Sequence, residues 1–147
     1  MAIFNAFNIS ASGMTAQRFR TDIIAQNVAN VDTTRTEDGE VYRRKAVTFA
    51  EKSATAFDNV LARVQSERTT GTGVKVTSVY EDTETELNMV YDPSHPDADE
   101  NGYVSYPNVN IVTEMTNMID ATRSYEANVT AFNASKSIAL KGLEIGK

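Results

Sequence analysis

The sequence contains no cysteine, and histidine occurs once in its 147 residues. Without cysteine the chain can form neither disulfide bonds nor thiolate metal sites, so it is indifferent to the redox compartment. The single histidine, His95, lies in a loop segment bounded by Pro93 and Pro96. A catalytic general base needs a positioned companion group, and the sequence identifies none for His95. We expect this histidine to have a structural rather than a catalytic role.

Long hydrophobic runs are also missing. No stretch of about 18 consecutive apolar residues occurs, so the sequence predicts no membrane-spanning helix. The N-terminus lacks the basic n-region and the apolar h-region of a cleaved signal peptide. The chain is therefore expected either to stay inside the cell or to leave it by a route that involves no cleavage.

Positive charge is scarce. The net charge is −6, from 14 basic and 20 acidic residues, and the basic run Arg43–Lys45 stands alone. This balance argues against nucleic acid as a partner. The stretch 81–101 has no lysine or arginine, which predicts a solvated surface or a contact with a basic neighbour. Its eight acidic residues are Glu81, Asp82, Glu84, Glu86, Asp92, Asp97, Asp99 and Glu100.

Motifs of catalysis and nucleotide binding are absent as well. The patterns GxxxxGK[ST], GxSxG and HExxH do not occur, and the turn at 71–73 lacks the downstream glycine of a dinucleotide loop. The segment 97–102 matches the first half of a calcium-binding loop. However, Asn108 stands where that loop requires a bidentate glutamate. We expect no catalytic site, no bound metal and no cofactor.

The C-terminal third carries an apolar stripe with alternating steps of four and three residues, the spacing of a coiled-coil seam. A helix of this length extends roughly 50 Å and presents more apolar surface than a core of this size covers. The stripe therefore indicates a partner helix. Its positions are Ile111, Met115, Met118, Thr122, Tyr125, Val129, Phe132, Lys136, Ala139 and Leu143.

The first thirty residues supply a second stripe with the same spacing. Polar residues interrupt both stripes, a pattern that favours a defined register at some cost in stability. Further apolar residues lie outside the stripes, which indicates more than one neighbour for each helix. An intrachain helical hairpin packed on a middle region remains the alternative. The N-terminal positions are Ile3, Phe7, Ser10, Met14, Gln17, Thr21, Ile24, Val28 and Val31.

The central region has a different periodicity. Short β-like runs at 74–80 and 87–91 predict one hairpin, and a further strand is predicted over 41–49. Apolar spacing over 55–65 predicts a short helix. The prolines in 92–96 predict a rigid turn before the last helix, and Asn108 or Asn110 is expected to cap that helix, with Glu114 near its positive end.

The fold predicted from these patterns is mainly α, with long N- and C-terminal helices pairing in a coiled-coil-like bundle around a small central β-hairpin and loop region. We expect one structural unit with three parts. These are an N-terminal helix over 1–34, a central region over 35–108 and a C-terminal helix over 109–147.

Two groups of residues resemble the axial proteins of the bacterial flagellum, the rod and hook proteins. The segment Asn-Val-Ala-Asn-Val-Asp-Thr at 27–33 is similar to their N-terminal signature. The segments 91–96, 102–104 and 106–110 resemble the proximal rod branch of this family more specifically, as does the long polar loop after Asp32. The residues that carry the motif are Asn27, Ala29, Asn30, Val31, Asp92, Pro93, His95, Pro96, Gly102, Tyr103, Pro107, Asn108, Asn110, Tyr125, Ala127 and Asn128.

The resemblance implies a structural, non-enzymatic subunit of the proximal rod of the flagellar basal body, which polymerises through its terminal helices into a driveshaft that transmits torque. It implies export by the flagellar type III apparatus without a cleaved signal, and a location in the rod region outside the cytoplasm. The implied partners are copies of the chain, other rod proteins, membrane-ring and junction components, and the export apparatus. Two alternatives are another axial rod subunit and a coiled-coil adaptor or export chaperone.

We expect the apolar stripe residues of both terminal helices to pack in the assembly, although some of them could form an intrachain core instead. Asn27, Asn30 and Asn128 are expected to form hydrogen bonds across helices or to end one. The expected packing residues are Ile3, Phe7, Met14, Ile24, Val28, Ile111, Met115, Met118, Tyr125, Val129, Phe132 and Leu143.

Overall fold

A computed structural model describes residues 2–52 and 71–145 of the chain. Within these residues the fold consists of two long helices and two small β-sheets, so the predicted fold class is confirmed. The helix predicted over 55–65 lies outside the described residues. The elements are α1 (Ala2–Ala29), β1 (Lys45–Glu51), β2 (Val74–Glu81), β3 (Asn88–Tyr91), β4 (Tyr103–Tyr106) and α2 (Ile111–Ile145).

The chain divides into two compact units, each assembled from segments that are distant in sequence. The first unit comprises Met1–Phe19, Thr48–Thr77 and Thr122–Lys147. The second unit comprises Arg20–Val47 and Ser78–Ala121. Both helices and the strands β1 and β2 contribute residues to each unit. The three-part division at residues 34 and 108 remains a prediction.

Asparagine side chains form hydrogen bonds at the C-terminal end of α1 and at the N-terminal end of α2. The Oδ1 atom of Asn110 accepts a hydrogen bond of 3.1 Å from the backbone N–H of Thr113. Asn110 is therefore the N-cap of α2, since it satisfies an N–H group that lacks a partner within the helix. At the end of α1, the Nδ2 atom of Asn30 donates to the carbonyl oxygen of Gln26 at 2.8 Å.

The strand pairing differs from the predicted hairpin. β2 pairs with β1 and β3 pairs with β4, so the hairpin predicted between 74–80 and 87–91 is wrong. Hydrogen bonds from Lys52 N to Gly73 O and from Asp82 N to Arg44 O, both 2.8 Å, flank the β1–β2 ladder in antiparallel order. After β2 the chain turns away, because the carboxylate of Asp82 holds the N–H and hydroxyl of Thr85 at 3.0 and 2.8 Å.

The second sheet is an antiparallel hairpin in which Tyr91 lies opposite Tyr103 and Val90 opposite Val104. The proline-rich turn predicted at 92–96 is present, but it leads to β4 before α2 begins. Gly102 closes the loop with a φ of 80°, a backbone conformation that favours glycine. A Cβ atom at this position would also lie only 3.0 Å from the ring of Tyr91.

The buried side chains are few, and many of them are polar. Glu114 and Asn27 are among the largest side chains that are completely buried, beside Val104 and Pro107. All four lie in the second unit. A buried carboxylate and a buried amide require hydrogen-bond partners, because burial without them costs free energy. The second unit is therefore organised around polar groups as well as apolar ones.

Candidate functional site

The buried side of α1 is lined by small and polar residues. Gly13 and Ala16 are buried in the first unit, and Ile24 and Asn27 in the second. The predicted apolar stripe contains Ile24 and the buried Ser10, and its residues Met14 and Val28 directly follow Gly13 and Asn27. The stripe and the buried side of α1 therefore overlap, and the described stripe residues within α1 are buried or half-buried.

In α2 the most deeply buried positions are offset from the predicted stripe. Glu114 and Ala121 are completely buried, whereas the next residues, Met115 and Thr122, are exposed. A shift of one residue on a helix rotates a position by about 100°. Large apolar side chains of α2 are consequently exposed. They are Ile111, Val112, Met115, Ile119, Tyr125, Ile138, Leu140, Leu143 and Ile145, and the exposed fractions range from 39% to 87%.

The predicted packing residues divide into three groups by burial. Ile24 is buried. The exposed ones are Ile111, Met115, Tyr125 and Leu143, and the half-buried ones are Phe7, Met14, Val28, Met118, Val129 and Phe132. The side chain of Ile3 lies outside the described residues. Their role in assembly remains a prediction.

In the first unit the two helices contact each other closely. The ring centroids of Phe7 and Phe132 are 4.9 Å apart. Gly13 faces the amide of Asn128, and a Cβ atom at position 13 would lie 2.6 Å from Asn128 Oδ1. Because this distance is shorter than a van der Waals contact, a side chain at position 13 requires the Asn128 amide or one of the helices to move.

A polar cluster connects four segments of the second unit. The amide oxygen of Asn27 accepts hydrogen bonds of 2.9 Å from the hydroxyl of Tyr42 and from the backbone N–H of Lys45. The amide nitrogen of Asn27 donates to Lys45 O at 2.8 Å and to Glu114 Oε2 at 2.9 Å. The end of α1 is thereby joined to the start of β1 and to the first turns of α2.

Glu114 is bound from the other side by Arg44. The Nε and Nη2 atoms of Arg44 both lie 2.9 Å from Glu114 Oε1. The glutamate side chain is 1% exposed and the arginine side chain 27% exposed. A buried carboxylate is tolerated when it is paired with a cation and hydrogen-bonded, as it is here. The sequence predicts Glu114 near the positive end of α2, but no sequence pattern indicates this ion pair.

Asn108 fixes the segment before α2. Its Oδ1 atom accepts from the backbone N–H of Arg44 at 2.9 Å, and its Nδ2 atom donates to the carbonyl oxygen of Asp82 at 2.9 Å. The cap role proposed for Asn108 belongs to Asn110 instead. Asn108, Asn27 and Glu114 therefore hold β1, the end of β2 and α2 together by side-chain hydrogen bonds.

Three ionisable groups in the described part of the chain have shifted pKa values. Burial raises the pKa of the Tyr42 phenol, and the negative charges of Glu81 and Glu114 raise it further. Hydrogen bonds from the backbone and hydroxyl of Thr85 lower the pKa of Asp82. Hydrogen bonds from the hydroxyl and backbone of Ser94 lower the pKa of Asp92. In each case the shift favours the protonation state that the local hydrogen bonds require.

Two carboxylates of the acidic loop before β4 accept hydrogen bonds from groups of the same chain. Asp97 accepts a hydrogen bond of 2.8 Å from Thr34 and lies 3.9 Å from the guanidinium of Arg35. Asp99 accepts from the N–H groups of Asn101 and Tyr103 at 2.9 and 2.8 Å. In residues 2–52 and 71–145 no three His, Asp or Glu side chains are grouped so as to hold a metal ion.

A polar groove of about 620 Å³ lies beside the end of α1, and its walls include Gln26, Tyr42, Arg43, Lys45 and Glu81. Charges of both signs line it.

No helix in the described part of the chain is long and apolar enough to cross a bilayer.

Comparison with known proteins assigns the chain to a family. Residues 7–35 match the model of the flagella basal body rod protein family, and residues 100–145 match the model of the flagellar basal body rod FlgEFG protein C-terminal family. The chain is 47% identical over 152 residues to the flagellar basal-body rod protein FlgC of Bacillus subtilis (strain 168), and both chains are covered completely. The chain belongs to the FlgC family of flagellar basal-body rod proteins.

Other FlgC proteins match over almost the same length. Identity is 43% to FlgC of Borreliella burgdorferi (strain B31), with 99% of this chain and 98% of the relative covered. Identity is 42% to FlgC of Salmonella typhimurium (strain LT2), with both chains covered completely. The resemblance to the proximal rod branch of the axial proteins, which FlgC represents, is thereby confirmed.

The motif residues of the FlgC resemblance occupy different environments. Several support the polar cluster or the hairpin turn, and His95 accepts a hydrogen bond from Asp97 N at 3.1 Å through its Nδ1 atom. Asn27, Gly102, Pro107 and Asn108 are buried, Asn30, Val31, Asp92, His95 and Asn128 are half-buried, and Ala29, Pro93, Pro96, Tyr103, Asn110, Tyr125 and Ala127 are exposed.

The contacts of Arg44 and Tyr42 in the polar cluster follow from no pattern in the sequence. Both residues lie in the segment directly before β1, where apolar spacing does not distinguish them from solvated residues. Arg44 and Glu114 are 70 residues apart, so no local pattern reports their contact. The sequence signals are the isolated basic run Arg43–Lys45 and a glutamate beside an apolar stripe.

Proposed function

We propose that the chain is a structural subunit of the proximal rod of the bacterial flagellar basal body, and that it polymerises through its terminal helices into the driveshaft that transmits torque. The observation that carries this proposal is the 42% to 47% identity to basal-body rod proteins over the whole chain. The proposed role is structural and involves no catalysis.

The exposed helix faces supply a physical reason for polymerisation. Val112, Met115 and Ile119 expose 73%, 57% and 55% of their surface on α2. Removing apolar surface from water contributes about 25 cal/mol per Å², so a neighbour that covers these side chains stabilises both subunits. A contiguous exposed apolar patch of this kind is typical of a protein–protein contact.

The proposed partners are further copies of the chain, other rod proteins, the membrane-ring and junction components of the basal body, and the type III export apparatus during transit. The proposed location is the rod region outside the cytoplasm, reached without cleavage of a signal. Marginal stability of the separate helices is compatible with passage of an unfolded chain. Ordering of the helix ends is then coupled to assembly.

The test is deletion of the gene followed by electron microscopy of the cells for hooks and filaments. Complementation with the full chain should restore both structures, and a chain without residues 1–30 should not. Immunoblots of purified basal bodies should detect the full chain in the rod fraction. Normal flagella in the deletion strain would remove the rod assignment and favour an adaptor or chaperone role.

A further inference from the structure

The β3–β4 hairpin presents an exposed apolar face. Side chains alternate between the two faces of a strand, and the register places Tyr91 beside Tyr103 and Met89 beside Ser105 on one face. Met89, Tyr91 and Tyr103 expose 62%, 64% and 42% of their surface. The two tyrosine rings contact each other edge to face, with centroids 5.2 Å apart. We call Met89, Tyr91 and Tyr103 the hairpin face.

Negative charge flanks the hairpin face without compensation. Glu84 and Glu86 precede β3 and Glu100 precedes β4, and all three are exposed. In the described part of the chain, none of these three carboxylates forms an ion pair. No lysine or arginine occurs between residues 81 and 101. A surface that covers the hairpin face must therefore be apolar and should carry positive charge.

The last turns of α2 have this composition. Ile138 and Ile145 expose 67% and 87% of their surface, and Leu140 and Leu143 expose 52% and 72%. Residues three, four or seven apart lie on one side of a helix. Ile138, Lys141 and Ile145 therefore form one stripe, and Lys136, Leu140 and Leu143 form another. Each stripe combines two exposed apolar side chains with an exposed lysine. Lys141 forms an ion pair of 2.7 Å with Glu144 on the same helix, so two lysines and one glutamate leave residues 134–145 with a net positive charge.

We propose that the hairpin face of one copy of this chain docks on the last turns of α2, residues 134–145, of a neighbouring copy. The charges are opposite, and both surfaces are apolar at their centre. The lengths are also compatible, since twelve helical residues extend roughly 18 Å and a four-residue antiparallel strand roughly 13 Å. This inference rests on the proposed function, because it requires copies of the chain to be neighbours in the rod.

The two surfaces belong to different parts of the chain, so the contact is heterologous. A heterologous contact that does not close on itself adds subunits in one direction and builds a helical assembly. This contact joins three side chains of the hairpin face to four apolar side chains of α2, which is small compared with a stable interface. It adds to the other helix contacts and does not by itself hold two free monomers together.

The absence of cysteine allows a direct test by disulfide formation in assembled basal bodies. A strain without the native gene expresses two variants together, Met89→Cys and Ile138→Cys, or Met89→Cys and Leu143→Cys. Basal bodies are purified and oxidised, and crosslinked peptides are identified by mass spectrometry. A disulfide between positions 89 and 138, or 89 and 143, joins two separate chains and requires Cα atoms within about 7 Å. We expect this product for at least one pair.

Controls locate the contact. Each variant expressed alone cannot give the mixed peptide, and the pair Met89→Cys with Ala131→Cys places the second thiol two turns earlier on the helix, roughly 10 Å away. This control pair should give no mixed product. A product at position 131 and none at 138 or 143 would overturn the proposed site.

Charge reversal provides a second measurement. Replacing Glu84 and Glu86 by lysine should abolish the mixed disulfide, and replacing Lys136 and Lys141 by glutamate in the same strain should restore it. Basal bodies that contain the chain but give no mixed disulfide, or a disulfide from position 89 to another rod protein, would refute this contact while leaving the rod assignment intact. Basal bodies without the chain would refute the rod assignment itself.

Discussion

The guanidinium of Arg44 holds the buried carboxylate of Glu114, with two nitrogens at 2.9 Å from one oxygen. Asn27 binds the other carboxylate oxygen at 2.9 Å. The first turns of α2 are thereby joined to β1 and to the end of α1. These polar contacts fix how the segments meet, whereas the exposed apolar residues of the same helix remain available for neighbours.

Replacing Arg44 by methionine should destabilise the second unit, because it leaves Glu114 buried without a cation. Loss of one partner of a buried pair costs about 3 to 5 kcal/mol, and we expect about 2 kcal/mol here since Arg44 is partly solvated. The double variant Arg44→Met with Glu114→Met should regain much of this loss. Urea unfolding measures each free energy.

Arg35→Met is the matched control, since Arg35 is 71% exposed and lies 3.9 Å from Asp97. Its free energy of unfolding should change by no more than about 0.5 kcal/mol. Equal losses for Arg44→Met and Arg35→Met would show that the buried pair does not stabilise the fold.

Gly13→Ala should destabilise the first unit, although alanine is normally the better helix former by about 1 kcal/mol. The new methyl group would lie 2.6 Å from Asn128 Oδ1, so the amide or the helix must move. The double variant Gly13→Ala with Asn128→Ala should remove the clash. Gly142→Ala is the control, because nothing lies within 4 Å of its added Cβ, and it should stabilise α2. Thermal unfolding measures the stability of all variants. An increase in stability for Gly13→Ala would contradict the close approach of Gly13 and Asn128.

The sequence was sufficient to predict the two helices, because their apolar spacing continues over eight or more turns. It predicted the buried side of α1, whose described stripe residues are buried or half-buried, but not the fully buried positions of α2. Gly13 and Ala121 are buried because small residues allow a close approach of another segment, whereas periodicity follows the larger apolar residues. An apolar stripe contains no information on whether the covering surface comes from the same chain or from a neighbour.

Strand pairing was less predictable than strand location. The two segments with strand-like alternation, β2 and β3, are adjacent in sequence, and adjacent strands usually form a hairpin. That expectation is wrong here, because β2 pairs with β1 and β3 with β4. The turn around Asp82 and Thr85 separates them, and the long-range hydrogen bonds of Asn108 hold that turn. Contacts between residues far apart in sequence, such as Arg44 with Glu114, leave no periodic pattern.

The ionisation of Tyr42 should be detectable at alkaline pH. Its pKa is raised above the ordinary value of about 10, so the folded state retains the phenolic proton after the unfolded state has lost it. The stability contribution of this group is complete below pH 10 and is lost as the pH rises toward the folded-state pKa. The difference in 295 nm absorbance between the native chain and Tyr42→Phe should therefore have its midpoint above pH 10. A midpoint at or below 10 would contradict the burial of the Tyr42 phenol beside Glu81 and Glu114.

The free monomer should exchange the amide protons of α1 faster than the assembled rod does. Ser10, Gln17 and Thr21 interrupt the apolar stripe of this helix, so isolated α1 gains little from its own sequence. Hydrogen exchange with mass spectrometry on the monomer and on purified basal bodies compares residues 1–30 directly. Full protection of these residues in the monomer would contradict coupling between ordering and assembly.

Met115→Glu should block rod assembly while leaving the folded monomer intact. Met115 is 57% exposed in the isolated chain, so a carboxylate there remains solvated and costs little stability. In the assembly the same carboxylate would be buried against an apolar neighbour, where an unpaired charge is strongly unfavourable. Thr113→Glu is the control, because this exposed position lies in the same turn on another side of α2, where negative charge favours the helix N-terminus. Cells with Met115→Glu should lack hooks and filaments, and cells with Thr113→Glu should retain them. Normal flagella with Met115→Glu would mean that this face of α2 stays solvated in the rod, and the search for the subunit contact would then move to the exposed residues at the other end of the helix.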